Sequence, residues 1–312
     1  MTTVVVTGAS GFIGRHVVSL LSERGMTVRG TTRSGRHHGL AQVDYHDARA
    51  LAGVLDGADT VIHVAGVAHL TSRSVADPAR AFHDGNVDIA VNVAKASKDT
   101  DVRRFILLSS AGVLGLRSPP GGLRDTSPAM PYDAYTESKF EAEQRVSDTL
   151  AHQCALTIVR PPMVYGPGAP GSYRRLCNWI ERGLPLPIGR LNSRRSFIGI
   201  RNLCDLLLTI TNAIGGGAGE PTTLLAADHE PISVATFAQA IAAVRQRRAL
   251  LVPVPDWLLR PALQCAGFQD EYRRLALPFE LTPSRTQTLY GWSPPLSTTE
   301  ELTWAFAQDS RA

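Results

Sequence analysis

A chain of 312 residues, 44% hydrophobic and 19% charged, has the composition of an ordinary globular protein and room for one large domain or two modest ones. No apolar run approaches the roughly 20 residues that cross a bilayer, and no basic segment precedes the first valines. The expectation is therefore a cytoplasmic protein without a membrane partner. A net charge of +4 without a basic run argues against a nucleic-acid partner, and the near absence of lysine leaves an arginine-rich chain suited to anionic small molecules.

Val4-Val5-Val6 reads as a buried strand, followed by Gly8, Gly11 and Gly14 and then by Arg15 to Leu21 with apolar residues at helical spacing. A strand, a glycine turn and a helix start in succession form an anion site. Gly8 permits the tight turn, Gly11 lets backbone approach a pyrophosphate, and Gly14 lets the helix pack on the sheet. The helix start presents free N–H groups, and Ser10 adds a hydroxyl donor. A second strand, Thr27 to Thr32, ends where the ribose of a dinucleotide's adenosine would lie. No acid stands there. Arg33 follows Thr32, with Arg36 close behind, which favours the 2′-phosphate of NADP, with NAD as the alternative.

Val43-Asp44-Tyr45 reads as a short strand whose end flanks the adenine, and Ala48 to Leu55 as a helix. Asp59 to Gly66 is a strand and turn, with Ala65 and Gly66 small enough for a cofactor to lie against. His63 and His69 read as packed or solvated histidines. Asp77-Pro78 opens a helix running to about Lys98. Arg103 to Leu108 is an apolar strand ending in Ser109 and Ser110, hydroxyls at the carboxyl edge where open α/β sheets bind ligands. A Pro- and Gly-rich loop, 118–131, is long enough to cap a site. In the next helix Tyr135 and Lys139 lie one turn apart on one face. Ala155 to Arg160 is a further strand, ended by Pro161-Pro162.

Alternating strands and helices predict an α/β fold, a Rossmann doubly wound parallel sheet. The domain reading is a dinucleotide-binding domain over 1–165 and a smaller C-terminal α/β substrate lobe over 166–312, with a soft, interleaved boundary. In the lobe, short elements are read at Leu203 to Ile210, Thr222 to Ala226, Val234 to Val244 and Thr299 to Phe306. Cys154, Cys177, Cys204 and Cys265 have no metal-ligand spacing and read as buried free thiols, and no metal site is expected.

Together, Thr7-Gly-Ala-Ser-Gly-Phe-Ile-Gly14, His63-Val-Ala-Gly66, Leu108-Ser-Ser110, Tyr135-Thr-Glu-Ser-Lys139, Arg195-Ser-Phe-Ile198 and Gly291-Trp-Ser-Pro294 resemble the extended short-chain dehydrogenase/reductases, the nucleotide-sugar epimerase/dehydratase group. The resemblance implies a catalytic triad of Ser110, Tyr135 and Lys139. It implies cofactor contacts from Gly8, Ser10, Gly11, Phe12, Ile13 and Gly14, from Arg33, Asp44 and Tyr45, from Val64, Ala65 and Gly66, and from Ser109, Tyr135, Lys139 and Pro162. Substrate contacts fall on Ser110, Met163 and Arg195, the arginine matching one that commonly binds the substrate diphosphate. Thr27 to Arg33 is similar to NADP-using plant flavonoid reductases, in line with the charge argument.

Ala111-Gly112 stands where the 4,6-dehydratases of the group carry Asp-Glu, which discounts dehydration. Met163 stands where many epimerases place Asn. Arg160 to Pro167 is similar to bacterial polysaccharide enzymes that include 4-ketosugar reductases and 4-epimerases. The implied activity is at C4 of a nucleotide-diphosphate sugar, with reduction of a 4-ketosugar favoured and 4-epimerisation of a UDP-hexose the alternative. A non-catalytic NADP sensor on the same fold would have no need of the Tyr135 and Lys139 pair. The family also implies a homodimer, through a four-helix interface of residues 78–98 and 133–150.

Overall fold

The computed structural model describes residues 2–309, except 34, 36, 69–74, 152, 214–218 and 266–268. Arg36 and His69 thus lie outside the described residues. In chain order the first strands are β1 (Thr3–Thr7), β2 (Thr27–Thr32), β3 (Ala41–Gln42), β4 (Thr60–His63), β5 (Arg104–Leu108) and β6 (Leu123–Arg124). After them come β7 (Ala155–Arg160), β8 (Met163–Tyr165), β9 (Arg194–Arg195), β10 (Phe197–Gly199), β11 (Thr222–Leu225), β12 (Ile232–Ser233) and β13 (Leu281–Thr282). The central sheet has seven strands in the order β11-β7-β5-β4-β1-β2-β3, and every pairing in it is parallel.

Such a sheet must be covered on both faces, because parallel crossovers lay helices on each. Val4, Val5 and Val6 are accordingly all fully buried, which a half-exposed strand could not achieve. On one face Val5, Val61, Phe105 and Ile158 pack against α2 (Ala48–Leu55), α4 (Ile89–Asp99) and α5 (Ala134–Leu150). On the other, Val4, Ile62, Ile106 and Val159 pack against α1 (Phe12–Glu23) and α7 (Ile200–Asn212). Alternate residues of each strand serve opposite faces, as the two-residue period requires.

The structure revises several element readings. Val43 to Tyr45 is not a strand; β3 ends at Gln42, and Tyr45 lies in a turn. The helix expected over 78–98 is α3 (Pro78–Phe82), then a π-helical turn at His83–Asp88, then α4. Thr222 to Leu225, read with the lobe, is the edge strand of the central sheet, pairing with β7 from Thr222↔Thr157 to Leu225↔Arg160. α7 covers the same sheet, so residues beyond 166 complete the first half of the molecule. Cys154, Cys177 and Cys204 are buried, but Cys265 is exposed at the last position of α9 (Asp256–Cys265).

The lobe is built on α6 (Ser172–Glu181) and α8 (Val234–Val244), with α9, α10 (Gln269–Ala276) and α12 (Thr298–Asp309) around them, while α11 (Arg285–Tyr290) packs on the edge strand β11. Its core is aromatic, with Phe197 stacked on Phe237 at 4.4 Å and Tyr165 edge-on to Phe237 at 5.1 Å. The Tyr165 hydroxyl donates to buried Asp228 at 2.7 Å, and Asp228 also accepts from Asn202 Nδ2 at 2.8 Å. Buried Asp125 ties the lobe to the sheet, accepting from Leu225 N–H on one oxygen and from Ser284 and Arg285 N–H on the other.

Candidate active site

The first four elements of the sheet converge on the glycine turn. Gly8 has φ +71°, and a Cβ there would stand 2.7 Å from the Ala65 backbone; a Cβ on Gly14 would stand 2.2 Å from Gly8 O. Only glycine at both positions lets α1 start this close to β1 and β4. Gly11 caps α1 without a side-chain hydrogen bond, and the first turn holds no acid, so its N–H groups face an anion site. Ser10 Oγ lies 2.9 Å from Thr32 Oγ1, which links the turn to the end of β2.

Tyr45 is placed differently from the adenine-flanking position its spacing suggested. It is buried under the turn, its hydroxyl accepting from Gly8 N–H at 3.0 Å and pairing with Thr31 Oγ1 at 2.8 Å. It holds the glycine turn from beneath. Asp44 is exposed and accepts from His46 N–H at 2.9 Å, closing a local turn. Arg33 is exposed just past β2, and no carboxylate occupies the end of that strand. Phe12, Ile13 and Val64 are half-buried around the turn, and Gly66 is exposed.

Ser110, Tyr135 and Lys139 come together at the carboxyl edge of β5. Ser110 caps a short 3₁₀ turn, Ala111–Leu114, accepting from Gly112 N–H at 3.1 Å. Tyr135 and Lys139 project from α5, whose start is fixed by a capping box between Asp133 and Thr136. Burial pushes the Tyr135 phenol up to about 12, and the Ser110 hydroxyl, hydrogen-bonded to it, works in the opposite direction. Lys139 is buried, donates from Nζ to Leu108 O at 2.7 Å, and is lowered to about 8 by desolvation, with Glu143 opposing. At neutral pH the pair is thus a protonated phenol beside an ammonium.

Among the described residues, two buried atoms at this edge have no hydrogen-bond partner: Ser109 Oγ and His63 Nε2. His63 is packed, stacking on Phe105 at 6.1 Å and facing Thr7 Oγ1 at 2.9 Å through Nδ1. Desolvation, with Lys139 nearby, lowers it to about 3 and keeps it neutral. A buried hydroxyl left without a partner beside a glycine cradle fits a site that a polar ligand completes. The dinucleotide reading passes that test.

Pattern reading missed the groups that hold this geometry. Asn86, in the π-helical turn, accepts from Val67 N–H at 2.7 Å, donates to Val67 O at 3.0 Å and to Ser138 Oγ at 2.9 Å. Ser138 in turn donates to Tyr135 O at 2.8 Å. One amide thus ties the turn after β4 to the catalytic helix. Glu143, one turn beyond Lys139, receives Arg160 in a buried bidentate pair, at 2.9 and 2.6 Å, that fixes α5 to β7. Glu143 and Lys139 share a helix face, which was the available signal; the partner at a strand end was not visible.

Arg195 lies on β9 and is linked to the triad's surroundings through Tyr132. Its Nη1 donates to Leu277 O at 2.6 Å, its guanidinium lies 5.2 Å over the Phe279 ring, and burial lowers it to about 10. Tyr132, beside Asp133, shares its surroundings with Arg195 and Arg274, and Arg274 pairs with Asp133 at 3.1 Å. Next to this group is a cavity of about 530 Å³ lined by Leu116, Arg190, Ser193, Arg260, Arg273 and Leu277 among others. Leu116 comes from the chain just after the Ser110 turn, and Leu277, whose carbonyl accepts from Arg195, lines the same cavity. Pro162 and Met163 are half-buried, and Met163 pairs with Phe197 between β8 and β10.

Residues 4–221 match the profile of the NAD dependent epimerase/dehydratase family. The chain belongs to that family. It is an enzyme of that class, and its parallel sheet is the one that the alternating strands and helices predict. It is 29% identical to a UDP-glucose 4-epimerase of Vibrio cholerae, over 99% of this chain and 95% of the relative. In fold it is similar to the UDP-N-acetylglucosamine 4-epimerase of Bacillus cereus, with TM-score 0.80 and 17% identity over 99% of this chain and 100% of the other. It is similar also to the UDP-glucose 4-epimerase of Thermus thermophilus in complex with NAD, with TM-score 0.77 and 21% identity over the whole of both chains.

Proposed function

We propose that the family member described here is an NADP-linked reductase acting at C4 of a 4-keto nucleotide-diphosphate sugar. The observation that carries the reading is Arg33, exposed just past a strand that ends in Thr31-Thr32 without an acid, with Tyr135, hydrogen-bonded to Ser110 and one helical turn from Lys139, as the proton donor. Gly8, Ser10, Gly11, Phe12, Ile13 and Gly14 would hold the dinucleotide's pyrophosphate, Arg33 its 2′-phosphate, and Val64, Ala65, Gly66, Ser109 and Pro162 its nicotinamide half. When bound, that group supplies the hydride.

The chain's own residues handle the proton. Ser110 and Tyr135 hydroxyls orient the ketone oxygen. Tyr135 donates its phenolic proton as that oxygen becomes a hydroxyl, and the Lys139 ammonium stabilises the phenolate left behind. Burial that raises the phenol keeps its proton on Tyr135, available to the ketone oxygen. Arg195, with the arginines of the neighbouring cavity, is the natural seat for a diphosphate. Met163, at the triad end of the substrate path, would contact the sugar.

The second reading is 4-epimerisation, favoured by the Vibrio cholerae relative that spans nearly the whole chain. Stoichiometry separates the two. With NADPH and a 4-keto-6-deoxy nucleotide sugar, reduction consumes one cofactor per product. Conversion of a plain UDP-hexose to its 4-epimer without cofactor loss, together with no reduction of the ketone, overturns the first reading. We also infer a homodimer through α4 and α5, which sedimentation of the purified chain tests.

A further inference from the structure

The geometry points to a second binding surface, on the outer face of the lobe, that seats on an anionic lipid bilayer. Its apolar centre and Arg182, Arg247 and Arg248 lie outside the cavity assigned above to the substrate. That centre is α9. Leu259 and Leu263 of that helix pack into the lobe core. The exposed side is mostly apolar: Trp257 is 76% exposed and Leu258 49%, and Pro261, Ala262 and Cys265 are exposed with them, beside Asp256, Arg260 and Gln264. A helix docked on one side alone would carry polar residues on the other.

The apolar surface continues along the chain entering the helix. Leu250 and Val252 are exposed on an extended segment. Leu186 N–H donates to Leu250 O and Val252 N–H to Leu186 O, each at 2.8 Å, so this segment runs beside the one following α6. There Leu184, exposed, donates its N–H to Trp179 O at 3.0 Å, and Trp179 is exposed too. These six side chains account for most of the large exposed apolar residues among the described ones, and α4 and α5 contribute none.

Charge selects the occupant. Arg182, Arg190, Arg247, Arg248 and Arg260 are exposed in the same two segments and the same helix. The acids there are engaged: Glu181 pairs with Arg245, and Asp256 accepts from the Tyr272 hydroxyl. A second protein would match the tryptophans and leucines, but five arginines around them call for a surface dense in anions. Apolar side chains that enter the headgroup boundary, flanked by arginines that meet anionic headgroups, are how a protein lies on a membrane without crossing it. None of the described helices is long and apolar enough to cross one. Arg190 and Arg260 also line the cavity, so the seated face and the cavity share a wall.

The test is flotation of the full chain with vesicles of phosphatidylcholine alone and of phosphatidylcholine with phosphatidylglycerol. The expected result is binding to the anionic vesicles that weakens with salt, with a blue shift of tryptophan emission that Trp257→Phe reduces. Trp257→Ser with Leu258→Ser should cut the bound fraction about tenfold, as loss of two apolar anchors implies. Arg247→Gln with Arg248→Gln should remove the preference for anionic vesicles. Both pairs are exposed, and thermal unfolding checks that the variants fold. Absence of wild-type binding to anionic vesicles, or equal binding by the Trp257 and Leu258 variant, overturns the proposal. So does a wild type that stays off vesicles and self-associates through a contact that variant abolishes.

Discussion

The two halves of the molecule solve burial in opposite ways. The sheet half hides the apolar residues of its strands and helices: both faces of β1 are buried, and the outward sides of α4 and α5 carry Lys95, Lys98, Glu137 and Arg145. The lobe leaves tryptophan and leucine outside and surrounds them with arginine. The sheet half also fixes its reactive groups from several directions at once, through Asn86, Ser138 and the Glu143–Arg160 pair. In the lobe, Arg195 rests on a ring and a carbonyl. Chemistry that tolerates little displacement sits where the packing is determined from all sides, and recognition sits where one surface can change without the other.

If that division is right, damage on the two sides will read out differently. The largest effect is expected from Tyr135→Phe, which keeps the ring and removes the proton. Turnover should fall about 10²–10⁴-fold, with cofactor affinity by titration unchanged. A variant retaining more than about a tenth of the rate would remove Tyr135 from the acid/base role. Next, Glu143→Gln or Arg160→Met strands one buried charge and should cost about 3–5 kcal/mol in denaturant unfolding. The double variant Glu143→Leu with Arg160→Met should recover much of that loss. If the singles lose no more than the double, the pair does not anchor α5.

On the lobe side, Arg195→Ala should raise KM by the equivalent of about 1.5–3 kcal/mol while kcat holds, and Arg195→Lys should restore part of it. An unchanged KM with a nucleotide sugar would place the diphosphate elsewhere. Arg33→Asp should weaken NADPH and strengthen NADH by about tenfold each in direct titrations. Equal affinity of the unaltered protein for both cofactors would end the 2′-phosphate argument.

The mildest effect is on pH. Lys139 is charged below about 8 and neutral above, so kcat/KM should decline as pH rises through that value. Lys139→Arg should carry the decline to higher pH, and a profile that stays flat well beyond this point would separate Lys139 from catalysis. Stability moves the other way. The folded protein holds this proton less tightly than the unfolded chain does. The cost of the buried ammonium is therefore present in full below about pH 8 and fades as the pH climbs toward the free lysine value.

Local signals were read well where the local chain decides the structure. The helices Ala48–Leu55 and Val234–Val244 follow their sequence punctuation to the residue, because Asp47 and Ser233 cap them with their own side chains. The glycine turn and the Tyr135 and Lys139 face were legible for the same reason. α6 was not, since its N-cap, Gly171, offers no side-chain cap and the loops before it dominate the pattern. Reading Val43 to Tyr45 as a strand puts Tyr45 at the adenine, whereas its hydroxyl is engaged beneath Gly8. Asn86, Arg160 and the edge strand Thr222–Leu225 depend on partners far along the chain, which periodicity cannot reveal. Composition gives no sign that Cys265, unlike the other three cysteines, sits on the outward side of its helix.

The edge strand bears on how the protein is made. β11 reaches β7 only after more than sixty residues of intervening chain, so a nascent polypeptide carrying β1 to β7 has a complete row of unpaired amide and carbonyl groups along Ala155–Arg160. Loop closure of that length is slow compared with local helix formation. Until it occurs, β7 is the natural template for another emerging chain. Synthesis rather than equilibrium stability is then the step at which this fold is most exposed to aggregation. A fragment ending at residue 165 should self-associate, and supplying residues 200–226 in the same chain should suppress it.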